Sequence, residues 1–126
     1  MKVPTVPCPI QGLVPWERGI FPITSKRPHP VLHWLYTIHV RHKDQGLVVH
    51  HNVSQEELVQ EMQLHMRFKI GESVELGPFA RRLILGRKWQ FQQGTVIYKI
   101  EGPRPGRELY MEQQELIRRV EKVEVG

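Results

Sequence analysis

From Val31 onward the apolar residues fall on every second position. Leu32, Trp34, Tyr36, Ile38 and Val40 alternate with His33, Leu35, Thr37, His39 and Arg41. A period of two is the spacing of side chains along one face of a β-strand and does not fit a helical stripe, so the stretch predicts a half-buried strand. Lys43-Asp44-Gln45-Gly46 is turn chemistry, and the apolar residues of Leu47 to Val53 form a second strand. A four-residue loop at 43–46 sets His42 opposite Leu47, Val40 opposite Val49 and Tyr36 opposite Val53. This register keeps Leu47, Val49 and Val53 on the apolar face, whereas a slip of one residue would turn them outward. A hairpin with one greasy face needs a cover, and the rest of the chain must provide it.

A second alternation runs from Phe79 to Phe91, with Phe79, Leu83, Leu85, Trp89 and Phe91 on one face, interrupted by Arg81 and Arg87, and Gly86 marking a bulge. A two-residue turn at Gln93-Gly94 pairs Phe91 with Val96, Trp89 with Tyr98 and Arg87 with Ile100. Helices are predicted on either side. Ser54 and Glu57 form a capping box, and Leu58, Val59, Met62, His65 and Met66 share a stripe. Leu64 and Phe68 make a smaller pair, and Gly71 is the stop. The last helix is expected from Arg107 to Val123, burying Leu109, Gln113, Leu116, Ile117, Val120 and Val123 and leaving Arg118, Arg119 and Lys122 outside. Residues 72–76 fit one more strand.

Seven of the ten prolines lie in residues 1–30. Proline fixes φ and extends its predecessor, so this region reads as an extended arm whose Val14, Trp16, Ile20, Phe21 and Ile23 strap the core. The expected architecture is therefore α+β: two antiparallel hairpins, in a small barrel-like sheet, with two amphipathic helices in a single domain over 31–126, and a proline-rich arm over 1–30. The alternation and helix stripes show no internal repeat.

At 126 residues the chain is long enough to bury one core without disulfides. The single cysteine, Cys8, excludes an internal disulfide and a multi-cysteine zinc site. No apolar run approaches the roughly 20 residues of a membrane helix, and the proline-broken N-terminus lacks the apolar region of a secretory signal, which leads us to expect a cytoplasmic protein. Twelve Glu against one Asp, with single Asn, Cys and Ala residues, is a composition associated with hyperthermophiles, so a thermophile or a phage infecting one is the expected source. Net charge is +5, and the excess lies in residues 1–53 and 71–106, outside the predicted helices. Cations on strands and loops suit nucleic acid or an acidic protein face.

Six of the seven histidines lie between His29 and His51. In the register above, His39 and His50 are directly opposite on the outward face, while His42 and His51 face the other way. Two ligands fall short of the three or four that a zinc site takes, so neither a metal nor a cofactor is assigned, and the pair reads as a face that gains charge on acidification. A small metal-dependent enzyme built on this hairpin is the weakest of the readings. No HExxH, G-x-S-x-G or phosphate loop occurs, and "GPRPG" lacks the Lys-Ser/Thr of a P-loop.

The second hairpin carries the more informative pattern. Its register places Lys88 opposite Lys99 on the outward face, with Arg82 along the same strand and Gln90 and Gln92 nearby. Like charges directly opposite are unfavourable in a sheet, and an anionic partner would offset that cost. "FKIGESVEL" leading through "GRKWQFQQGTVIYKI" resembles the strand grammar of SH3-like small barrels of the KOW or Tudor kind, over residues 68–101. That resemblance implies a binding module of transcription or translation machinery and no catalysis. The expected function is thus a non-enzymatic regulator that docks on a protein component of a nucleic-acid-handling assembly such as RNA polymerase or a ribosome. Arg81, Arg82, Arg87, Lys88 and Lys99 are the expected contacts, with Arg41, His39 and His50 as an accessory surface. Direct, sequence-tolerant binding of nucleic acid is the competing expectation.

Overall fold

The computed structural model describes residues 7–77 and 80–125. Two antiparallel four-stranded sheets and two helices make a mixed α+β fold. The chain divides into two compact units, Met1–His65 together with Phe91–Gly94, and Met66–Gln90 together with Thr95–Gly126.

In the first unit the strands β1 (Leu13–Trp16), β2 (Gly19–His29), β3 (His33–His42) and β4 (Gly46–Ser54) lie side by side in chain order, and α1 (Gln55–His65) follows. Of the arm expected over 1–30, residues 1–6 lie outside the described residues, and Leu13–Trp16 and Gly19–His29 pair as the β1–β2 hairpin. Its two-residue turn holds Glu17 (φ 47°) and Arg18 (φ 65°) in the left-handed region, as a tight hairpin demands. The core is Val14, Ile23, Tyr36, Ile38, Val40, Val53 and Leu58, all nearly or fully buried. The predicted capping box is present: the Glu57 amide donates to Ser54 Oγ at 3.1 Å, and the Ser54 amide donates to Glu57 Oε1 at 3.3 Å.

The second unit repeats that order. β5 (Ser73–Glu75), β6 (Arg81–Gln90), β7 (Thr95–Ile100) and β8 (Leu109–Glu112) form the sheet, and α2 (Gln113–Val125) follows. Val74, Ile84, Trp89, Val96, Tyr98, Ile100, Met111 and Leu116 make its core.

Several expected boundaries move. The first helix stops at His65, leaving Leu64 exposed and Phe68 buried beyond the helix, and residues 109–112 are a strand rather than the first turn of the last helix. Phe79 lies outside the described residues. The loop between β3 and β4 is three residues, so His42 faces Gly46 and Val40 faces Val48, while Tyr36 faces Val53 as expected. The agreement at Tyr36 is restored by a bulge between Tyr36 and Ile38, where Asn52 takes φ 60°. The turn between β6 and β7 is four residues, not two, and sets Trp89 opposite Val96 and Arg87 opposite Tyr98.

The expectation of no repeat is overturned by bonds that recur at equivalent places. The Ile23 carbonyl accepts from Gln11 and its amide donates to the Gly12 carbonyl; Ile84 does the same with Gly71 and Glu72, all at 2.7–2.9 Å. A bulge follows each isoleucine, and each pairs across the sheet with an isoleucine, Ile38 or Ile100. The third strand then presents a buried tyrosine. Tyr36 accepts from the Cys8 amide at 2.9 Å and donates to Gln55 Oε1; Tyr98 accepts from the Phe68 amide at 3.2 Å and donates to Gln113 Oε1. Each glutamine opens its helix. Even the cation opposite the tyrosine matches, since Lys26 donates to the Cys8 carbonyl at 3.4 Å and Arg87 to the Phe68 carbonyl at 2.9 Å. A tyrosine hydroxyl that ties the entry segment to the helix start satisfies polar groups with no water at hand, which is why a buried phenol is tolerated in both cores.

Candidate binding face

On the outward side of the second sheet the register lays out two rows. Gly86, Lys99 and Tyr110 form one, across β6, β7 and β8, and Lys88, Ile97 and Glu112 form the next. The expected face-to-face Lys88 and Lys99 are therefore diagonal rather than opposite. The four-residue turn by itself shifts this pairing by two, and the bulge at Leu85 adds one more beyond Gly86. A diagonal offset eases the like-charge repulsion that direct opposition would impose. Neither ammonium has a hydrogen-bond or ion-pair partner among the described residues.

The same bulge explains the leucines. Leu83 lies opposite Ser73 on the outward side, Ile84 points inward, and parity reverses after Leu85, so Trp89 is buried while Leu83 and Leu85 are 41% and 43% exposed. Tyr110, on the edge strand, is 68% exposed. The outward face thus carries apolar side chains beside free cations. Gly86, Lys88, Gln90, Ile97, Lys99 and Tyr110 border a shallow groove of about 270 Å³, with Arg87 at its margin.

The other expected contacts sit elsewhere. Arg81 is outward and exposed but ion-paired with Glu75 at 2.8 Å. Arg82 lies opposite Val74 and borders a hollow of about 450 Å³ shared with Leu85, Glu101, Arg104 and Glu108. Arg87 points inward and is occupied by the Phe68 carbonyl, so it is a structural cation. Arg41 is exposed opposite Leu47 in the first unit.

The histidine pair is also redrawn. His39 faces Val49 and His50 faces Ile38, so the two are on opposite sides of the hairpin, because the three-residue loop moves the register by one. Instead His42 and His50 come together at one carboxylate: the Nε2 of each lies 3.0 Å from a different oxygen of Glu17. The approach at His50 is off the line of a hydrogen bond, leaving its Nε2 an ion-pair contact that acts when the ring is protonated, beside the Trp16 ring at 5.8 Å. Among the described residues no three His, Cys, Asp or Glu side chains converge as a metal-ligand set.

Cys8 is buried, and that burial pushes its thiol pKa up, away from the thiolate, despite the hydrogen bond with Tyr36 and the charge of Lys26. Burial likewise raises both core phenols, Tyr36 and Tyr98, so each stays a neutral hydroxyl able to donate to its glutamine.

Sequence reasoning missed Tyr110, Ile97 and the outward leucines as members of this face. Tyr110 falls within the helix expected over Arg107–Val123, and unbroken alternation points Leu83 and Leu85 inward. Comparison with known proteins finds no matching family model, no matching curated protein and no matching solved structure. No helix among the described residues is long and apolar enough to cross a membrane.

Proposed function

We propose that the protein is a non-enzymatic binding module that docks on a nucleic-acid-handling assembly and regulates it by occupancy, with the outward face of the second sheet as its contact surface. One observation carries the reading: Lys88 and Lys99, without a hydrogen-bond or ion-pair partner among the described residues, share a face with the exposed Leu83, Leu85 and Tyr110. Cations on the inner strands beside exposed leucines and an edge-strand tyrosine have the composition of an interface whose partner is acidic. Arg81 lies further along the same strand on the outward side, and an SH3-like reading of residues 68–101 would point the same way.

The test is capture of partners from nuclease-treated lysate of the source organism by the full chain, with Lys88→Gln/Lys99→Gln as the comparison. Both lysines are outward and make no internal bond, so the double variant keeps its fold and loses at least ten-fold in retention of the partner. Equal retention by the double variant would sink the assignment of this face.

A further inference from the structure

The groove beside Lys88 and Lys99 differs in charge from two other hollows among the described residues of the second unit. A hollow of about 410 Å³ has Arg67 and Arg81 against Glu72, Glu75 and Glu121, and the hollow beside Arg82 sets two arginines against Glu101 and Glu108. The groove is lined by cations, Gln90, apolar surface and one tyrosine, with no carboxylate in its walls. Glu112 follows beyond it, opposite Ile97, and bounds that end with negative charge. At about 270 Å³ it lies below the range of about 300–1,000 Å³ usual for whole small-molecule ligands, and suits one planar ring with the remainder outside.

The repeat shows which of these features are peculiar to the second unit. Gly86 and Lys99 pair as Ser25 and Thr37 do, Lys88 and Ile97 as Arg27 and Leu35, and Tyr110 holds the place of Asn52, one residue before the partner of each core tyrosine. In the first unit that face is spent on internal bonds: Arg27 donates to Asn52 Oδ1, and Thr37 Oγ1 lies 3.4 Å from His51 Nδ1. In the second unit Lys88 and Lys99, in the places of Arg27 and Thr37, have no such partner among the described residues, the asparagine is an exposed aromatic ring, and the serine is a glycine. A framework with the same bonds thus carries a tied-up polar face once and an open, cationic, aromatic one once.

Resting on the binding reading above, the geometry points to single-stranded nucleic acid as the occupant of this groove. A base stacks on Tyr110 over the floor left open by Gly86 and Ile97, and the flanking phosphates meet Lys88 and Lys99. Stacking on an aromatic ring beside a cationic track is the sequence-tolerant way to hold a single strand, because every base has a π-face. A duplex hides its bases and offers this groove only phosphates. Glu112 repels phosphate at the far end and so sets the direction in which the strand leaves.

Gly86 gives a clean block. Its backbone is outside the left-handed region, and a Cβ there would meet only Lys99 Cβ, at 3.7 Å, an ordinary contact. Gly86→Leu therefore fills the groove without straining the sheet. The probe is a fluorescein-labelled oligo-dT of about ten nucleotides, followed by anisotropy with the full chain at about 50 mM salt, with the matching dA·dT duplex as control. Gly86→Leu and Tyr110→Ala each weaken single-strand binding about ten-fold, Tyr110→Phe does not, and the duplex binds more weakly than the strand. Lys88→Gln/Lys99→Gln lowers the slope of log affinity against log salt by about 0.7 per lysine, which the groove-filling variant leaves alone.

Unchanged binding in Gly86→Leu and Tyr110→Ala, or equal binding of duplex, overturns the groove as a base site. Competition by thymidine monophosphate at the oligonucleotide's own concentration overturns the strand and assigns the groove to a free nucleotide. If the oligonucleotide does not bind while the lysine-dependent partner capture persists, this proposal fails and the docking reading stands. If the lysine variant alters neither measurement, both fail.

Discussion

The two units solve the same packing problem with the same bonds and different residues. Where the second unit places Phe68 edge-on to Tyr98, with ring centroids 5.5 Å apart, the first places Cys8 against Tyr36. Where the second buries Trp89 opposite Val96, the first pairs Pro28 with Trp34, moving the indole to the neighbouring strand and covering it with Lys26 at 5.6 Å. Side chains trade places freely as long as total apolar volume is kept, because burial is non-directional. The tyrosine hydroxyl, its two partners and the helix-opening glutamine do not change, because a buried polar group demands a partner in a particular direction. The difference teaches which contacts define the module and which merely fill it, and it marks the outward face as the place where the two copies part.

The strongest way to break the comparison is through the apolar anchor that both helices share. Leu58 and Leu116 each stand three residues after the opening glutamine and are fully buried. Truncation to alanine leaves a cavity and costs about 2–5 kcal/mol at either site. Native-state hydrogen exchange locates the damage: Leu58→Ala raises exchange in β3 and α1, and Leu116→Ala in β7 and α2. A cost below about 1 kcal/mol at one site and not the other would mean that the helices are held differently.

The tyrosines come next and sharpen the comparison by a predicted inequality. Replacing either with phenylalanine removes the acceptor of the entry-segment amide and one donor to the glutamine oxygen, at about 1–3 kcal/mol. Gln55 is buried, whereas Gln113 is half-exposed and its oxygen also accepts from the Arg67 amide at 2.9 Å. Tyr36→Phe is therefore the more destabilising of the two by urea unfolding, and a larger loss at Tyr98 would contradict the burial argument. pH checks the same groups. Burial raises both phenol pKa values in the folded state, so the folded chain holds protons that the unfolded chain releases. Stability from these phenols is complete below about pH 10, the unfolded value, and falls as pH rises toward the folded values. Melting temperature against pH shows the fall, and it is shallower in each phenylalanine variant.

Much of this was legible in the sequence and some was not, for physical reasons. The alternation of Trp34, Tyr36, Ile38 and Val40, the capping box at Ser54 and the short strand near Val74 could all be read, because each is a local pattern with a fixed period or spacing. A bulge carries no such mark. The single extra residue at Leu85 breaks the alternation, so that Leu83 is outward while Trp89 is inward, and the four-residue β6–β7 turn moves Lys88 off the line of Lys99. The β3–β4 loop did the same to His39 and His50. The repeat was visible only as two short echoes, Tyr-x-Ile in Tyr36-Thr37-Ile38 and Tyr98-Lys99-Ile100, and Gln-x-Glu-Leu in Gln55–Leu58 and Gln113–Leu116. The tyrosine and glutamine are 19 residues apart in one copy and 15 in the other, so no constant period exists to find. The binding face depends on those bulges and on β8, and so it was the part least open to reading in one dimension.

The smallest effect tests the most local equivalence. Gln11 and Gly71 occupy the same position ahead of the first strand of each sheet, both in the left-handed region, at φ 68° and 89°. Both donate a backbone amide to the matched isoleucine carbonyl. For a residue with a Cβ that conformation is unfavourable by roughly 1–2 kcal/mol, and glycine avoids it at the expense of a freer unfolded chain. The two terms partly cancel, so Gln11→Gly is expected to stabilise by at most about 1 kcal/mol and Gly71→Gln to destabilise by about the same. Nothing stands within 4 Å of a Cβ at Gly71, so the effect there is conformational and not steric. Opposite signs from the paired swaps in urea unfolding would show that the two copies hold the same backbone geometry at this turn. A stabilising Gly71→Gln would show that they do not, and would confine the repeat to the tyrosine, the isoleucines and the helix start.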